Sequence, residues 1–227
     1  MHDHDLKRLR RLHLRYDRLM PDCTAFLVRH GEVSNPDHLV YADLPGFGLS
    51  ARGTRQAGSA ADHLRVEPIR AVVSSPLRRA WETAGIIALA LGITPVGDGD
   101  LTEWRLSSRW AGTVWEDLPD RFPGELEAYL DHPEALPFSP ESLTEVAART
   151  ARSIERWCLR VSGPVVFVAH QDPIQAARLA LTGRDLTSLP QDKPGHGGIV
   201  ELRAATGTWS EVAHWEPPQG PAFPPRV

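Results

Sequence analysis

Cysteine is scarce: the 227 residues hold only Cys23 and Cys158. That pair has neither the spacing of a metal knuckle nor that of a redox dithiol. A disulfide framework is therefore not expected, and a reducing cytoplasm fits. An excess of basic charge is also missing. The formal net charge is -4, which removes the electrostatic footprint of a nucleic-acid binder. No apolar run reaches the ~20 residues that span a bilayer. The first residues have no continuous apolar stretch and no small-residue cleavage site, so they do not read as a signal peptide. There is no internal repeat and no linker that would divide the chain. Gly46-Phe47-Gly48 lacks the third glycine and the preceding strand of a dinucleotide fingerprint.

What is present suits one large α/β domain, since 41% of the residues are hydrophobic, enough for a substantial core at this length. Leu6, Leu9, Leu12, Tyr16 and Leu19 recur at helical spacing among many arginines. They predict a basic amphipathic helix over residues 1–22, lying on the domain or on a second subunit in a homodimer. A basic helix on a membrane surface is the other reading. Residues 216–227 form a Pro-rich tail.

Between these ends, residues 23–215 alternate strands and helices. Strands are predicted at 24–28, 69–74, near 95–96, at 165–168, 199–202 and 209–214. Helices are predicted at 51–64 behind an N-cap at Ser50, from Pro76 to Leu91 with Gly92 as its stop, and at 141–160 and 173–181. Residues 104–140, rich in Trp, Pro and charge, read as an irregular, lid-like excursion over a site. Trp104, Trp110 and Trp115 are expected to pack it. The fold class is α/β: a three-layer αβα sandwich with a doubly wound, mostly parallel sheet and an antiparallel edge.

Four segments carry chemistry-bearing groups. Arg29-His30-Gly31-Glu32 follows the first strand. Ser74-Ser75-Pro76-Leu77-Arg78-Arg79-Ala80 follows the second and opens a helix. Glu103 follows Leu101-Thr102. His170 ends the apolar run Val165-Val166-Phe167-Val168. In a parallel sheet the carboxyl ends of the strands share one edge, so these groups are expected to converge. Guanidinium forks suit phosphate oxygens, and a helix start adds free N–H groups. Two nearby guanidiniums would hold His30 neutral and nucleophilic.

Together these segments resemble the histidine phosphatase, or phosphoglycerate-mutase-like, superfamily. Its Arg-His-Gly-Glu stands at Arg29–Glu32, its Leu-Ser-x-x-Gly-x-x-Gln-Ala at Leu49–Ala57, and its Ser-Ser-Pro-Leu-x-Arg-Ala-x-x-Thr-Ala at Ser74–Ala84. The resemblance implies that His30 attacks phosphorus and becomes a phosphohistidine. Arg29, Arg79 and His170 would hold the equatorial oxygens, and Glu103 would serve as acid and then base. It implies a phosphatase for a small phosphorylated metabolite that needs no metal or other cofactor. Phosphoglycerate mutase and a non-catalytic phosphate-binding relative are the alternatives. The chain departs from the family pattern twice: Gln171 replaces the glycine after the second histidine, and Asn35 falls five rather than six positions after His30. Asn35 and Gln171 are assigned to substrate binding. Arg105 and Arg109 are assigned to an anionic substrate, and His196 to capping a loop.

Overall fold

The computed structural model describes residues 22–218. The expected N-terminal helix and nearly all of the Pro-rich tail lie outside the described residues. Six strands form one sheet: β1 (Cys23–Arg29), β2 (Ala71–Ser74), β3 (Val96–Gly97), β4 (Val165–Ala169), β5 (Ile199–Ala205) and β6 (Thr208–Trp215). The order is β3-β2-β4-β1-β5-β6. The first four strands in that order are mutually parallel, and β5 and β6 complete the sheet antiparallel. This is the expected α/β architecture with its antiparallel edge.

Strand alternation builds both cores. In β1, Ala25 and Leu27 face one side and Phe26 and Val28 the other. The second side is covered by α1 (Ala51–Leu64) and α2 (Arg78–Leu91) through Ala60, Leu64, Ala84 and Ile87. The first is covered by α6 (Leu143–Arg160) and α7 (Gln171–Leu181) through Ile154, Cys158, Ile174 and Ala177. All five residues of β4 are buried, which explains its unbroken apolar run. Loss of the Phe167 side chain from this layer would cost ~3–5 kcal/mol.

Helix ends follow local chemistry. The Ser50 hydroxyl accepts from the N–H of Gly53 at the start of α1. Ser142 and Glu145 form a reciprocal capping box on α6. Gly92 ends α2 with φ 67°, a left-handed turn open to glycine. Three starts differ from expectation. α2 begins at Arg78, two residues after Pro76, α6 begins at Leu143 rather than 141, and α7 begins at Gln171, ahead of Pro173. The excursion contains three short helices: α3 (Leu106–Arg109), α4 (Leu118–Arg121) and α5 (Glu125–Asp131).

The expectation that the two cysteines form no disulfide framework is corrected. Cys23, at the start of β1, is bonded to Cys158 on α6, with Cα atoms 5.8 Å apart across 135 residues of sequence. Sequence spacing could not reveal this, because packing of α6 on β1 brings the two together. With that bond in place, cysteine usage no longer points to a reducing compartment. Among the described residues no helix is long and apolar enough to cross a membrane.

Candidate active site

The strand ends meet as the topology requires. Arg29 pairs with Ala169, and Ser74 with Val168. Past the last pairs, the N–H of His30 donates to Ala169 O and that of Ser75 to Val168 O. His30, Ser75 and His170 thus share one edge.

The loop after β1 is gripped by the first turn of α1. A Cβ on Gly31 would overlap the carbonyl of Gly53, and one on Gly53 would overlap the carbonyl of Glu32. Two glycines are needed for the backbones to cross this closely. Ser50 N–H donates to Glu32 O, Ser50 Oγ donates to the Glu32 carboxylate, and the Glu32 N–H donates to Gln56 Oε1. The Gly31 N–H donates to Thr83 Oγ1 on α2. The second sequence motif is therefore a clamp on the first.

His30 is 2% exposed. Its Nδ1 lies 2.8 Å from the carbonyl of Gly31, which can only accept, so Nδ1 carries the proton. Arg79 Nε donates to His30 Nε2 at 3.2 Å, so Nε2 is unprotonated and its lone pair is held by Arg79 until that donor turns to a phosphoryl oxygen. Burial first, then the charges of Arg79 and Arg29, hold the imidazole pKa well below its ordinary value. A neutral, oriented ring is what a nitrogen nucleophile requires.

Around that ring stand buried nitrogen atoms with no hydrogen-bond partner. Among the described residues, four buried side-chain polar atoms lack a hydrogen-bond partner, and three of them are Arg29 Nε, Arg79 Nη2 and His170 Nδ1. Buried polar atoms of this kind are normally satisfied, so their concentration here marks room for an acceptor. The His170 ring is 5.1 Å from that of His30, and its Nε2 is 2.9 Å from Ser75 Oγ. Burial and then Arg79 depress the His170 pKa strongly. His170 is also the N-cap of α7, and no side chain caps that helix start. Two guanidiniums, an imidazole and a free helix start suit a tetrahedral oxyanion.

Glu103 closes the site from the sheet's other half. Its Oε2 is 3.8 Å from Arg79 Nη2 and 3.7 Å from His170 Nδ1, and its Oε1 accepts from the N–H of Trp104. Burial raises its pKa against the opposing pull of Arg79, so the carboxyl holds a proton more firmly than an ordinary glutamate.

A family model of the histidine phosphatase superfamily (branch 1) matches residues 25–216. The chain belongs to that superfamily. It is 38% identical over 182 residues to the uncharacterized protein Rv0525 of Mycobacterium tuberculosis, covering 76% of this chain and 85% of that one. It is 31% identical over 163 residues to phosphoserine phosphatase 1 of Hydrogenobacter thermophilus, covering 71% and 77%. A mycobacterial glucosyl-3-phosphoglycerate phosphatase solved with VO3 superposes with TM-score 0.76 at 27% identity, covering 86% of this chain and 99% of that one.

In this histidine phosphatase the structure brings Arg29, His30, Arg79, Glu103 and His170 together, and Gln171 lines the adjoining cavity. Other assigned residues have different partners. Asn35 closes a turn with the backbone of Leu39 through both its amide groups. Arg109 forks onto Glu125 and lies over Phe122 and Phe138. Arg105 is exposed and, like Asn35 and Arg109, is not among the cavity's lining residues. Trp104 packs as expected, with 1% exposure, and Trp104, Trp110 and Trp115 all line the cavity.

Sequence reading missed three supports. His196 accepts from Arg29 Nη2 at 3.0 Å, and burial lowers its pKa to about 3. The Tyr41 ring lies 4.7 Å from the guanidinium of Arg79. Arg149 on α6 has all five donors engaged, by the Glu141 carboxylate and by the carbonyls of Asp100, Thr102 and Glu103. It fixes the segment that carries Glu103. An arginine on a helix gives no sequence signal for such a role. The Ser75 and Thr83 contacts, by contrast, lie inside the third motif.

Proposed function

We propose that this histidine phosphatase hydrolyses phosphate monoesters of a small metabolite through a phosphohistidine at His30, without a metal. The observation that carries the reading is the set of three buried, unpartnered nitrogen atoms, Arg29 Nε, Arg79 Nη2 and His170 Nδ1, gathered with His30. In the first step the Nε2 lone pair forms a bond to phosphorus as the ester P–O bond breaks. The proton on Glu103 passes to the departing alkoxide, which leaves as a neutral alcohol. In the second step water attacks phosphorus, Glu103 carboxylate takes its proton, and the P–N electron pair returns to His30. Arg29, Arg79 and His170 hold the phosphoryl oxygens throughout. Charge neutralisation and positioning supply most of the acceleration in such transfers, and acid assistance contributes about 10²–10⁴-fold.

Relatives named as phosphatases for phosphoserine and for glucosyl-3-phosphoglycerate support hydrolysis of a small ester. The test is release of inorganic phosphate from a panel of monoesters in the presence of a chelator. It is joined to neutral-pH quenching and detection of phosphate on His30. Turnover that survives the chelator and is lost in a folded His30→Ala variant is expected. Turnover that disappears with the chelator, or persists in His30→Ala, overturns the reading.

A further inference from the structure

The cavity beside His30 measures about 220 Å³. Much of its wall is apolar or aromatic: Leu39, Val40, Tyr41, Leu106, Trp110 and Trp115. Trp110 is buried, and its one donor is spent on Glu125 at 2.9 Å, so it offers the cavity only its ring. Trp115 is 44% exposed and lines the same cavity, so its indole is open to a ligand there.

Charge is distributed just as unevenly. Among the described residues, Arg29 is the single lysine or arginine in the lining. Its Nη atoms are held by Pro194 O and His196, which leaves Nε for the phosphoryl group. Asp172, also in the lining, is neutralised by Lys193 at 2.7 Å and accepts from the Tyr129 hydroxyl at 3.0 Å. Once a phosphoryl group has taken Arg29 and Arg79, the lining holds no further unpaired cation. A second anionic group on the substrate would meet aromatic carbon, Asp172 and the neutral side chains of Ser107 and Gln171, and would enter the cavity without a cation to pair it.

We propose that the alcohol this site releases is uncharged and apolar, of about the size of one ring, and that esters bearing a carboxylate are rejected. The inference rests on the phosphatase reading above and names its substrate class. It separates this chain from the relatives named for phosphoserine and glucosyl-3-phosphoglycerate, whose substrates carry carboxylates. Size agrees, since a cavity of about 150 Å³ accommodates benzene and the remaining volume serves the phosphoryl group. A cationic alcohol fits less well. Aromatic walls do bind ammonium groups, but Tyr41 already faces Arg79 at 4.7 Å and Tyr129 faces Lys193 at 5.1 Å.

The experiment compares kcat/KM of the full chain for phenyl phosphate, cyclohexyl phosphate, phosphocholine, phosphoserine and 3-phosphoglycerate. The ring esters are expected to exceed the carboxylate esters by about tenfold or more. Trp115→Ala is expected to raise KM for the ring esters about tenfold, with inhibition by orthovanadate unchanged, which also shows that the variant keeps its folded anion site. Phosphoserine or 3-phosphoglycerate as the better substrate overturns the inference and leaves the phosphatase reading standing. Phosphocholine as the best substrate also overturns it, in favour of an ammonium cage. An unchanged KM in Trp115→Ala removes the aromatic wall from the account. No phosphate released from any ester sinks the phosphatase reading, and the inference with it.

Discussion

Arg79 Nε donates to His30 Nε2 at 3.2 Å, the atom that would attack phosphorus. The same guanidinium keeps Nη2 free for an oxyanion. Arg79 therefore aims the nucleophile and receives its target at once, while the Tyr41 ring fixes its plane. A lysine keeps the charge but not the fork. Arg79→Lys is expected to lose about 10²–10³-fold in kcat/KM, with the loss seen in steady-state assays and folding checked by circular dichroism.

The pH profile follows from two opposite shifts. His30 is held well below the ordinary imidazole value of 6.5, so it stays unprotonated and active into acid. Glu103 is raised above its ordinary 4.5, so its proton survives further toward neutrality and is lost beyond its folded pKa. A bell in kcat/KM is expected, its acid limb below 6.5 from His30 and its alkaline limb above 4.5 from Glu103. Glu103→Gln should erase the alkaline limb. It should slow alkyl esters by about 10²–10⁴-fold while sparing 4-nitrophenyl phosphate, whose leaving group needs little acid help.

Stability should respond in the same acid range. His30, His170 and His196 all have depressed folded pKa values. The unfolded chain therefore takes up protons that the folded one refuses, and stability falls as pH drops from about 6.5 toward about 3. Calorimetric Tm values across that window should decline, and less steeply in His196→Gln. A Tm that rises through the window contradicts the buried neutral imidazoles.

Arg149 acts through Glu103 and touches no reacting atom. Arg149→Lys cannot replace five directed bonds. A misplacement of about 1 Å in the acid costs up to ~10²-fold. The expected signature is a lower kcat on alkyl esters with KM little changed and 4-nitrophenyl phosphate spared. Equal loss on both esters would show a purely structural role.

The Cys23–Cys158 bond closes a long loop, and such bonds are typically worth 2–4 kcal/mol. Cys158→Ser, or reduction after denaturation, should lower Tm by several degrees. The active site lies at the opposite end of β1, so kcat should hold at temperatures where the variant stays folded.

The sequence was most readable where one short segment contains both the support and the supported group. Arg29, His30 and His170 sit directly after apolar strands, and Ser50, Gly53 and Gln56 form one motif whose task is to hold Glu32. Glu103 was legible only through family resemblance, because the turn before it carries no strong pattern. His196, Arg149 and the cysteine pair were opaque for a common reason: each partner is brought close by sheet and helix packing across a large sequence separation. Arg105 and Arg109 misled in the opposite way, since Arg109 finds its carboxylate at Glu125 within the excursion itself.

The Arg149 clamp ends at the carbonyl of Glu103, one residue before the excursion begins. Asp100, Thr102 and Glu103 are anchored to α6 through their carbonyls, and half of the apolar wall of the alcohol pocket, Leu106, Trp110 and Trp115, is contributed downstream of that point. Recognition can therefore diverge while bond-breaking stays constant. Transplanting residues 104–140 from a relative onto this chain should exchange the alcohol that is accepted and leave the phosphorus chemistry as it was.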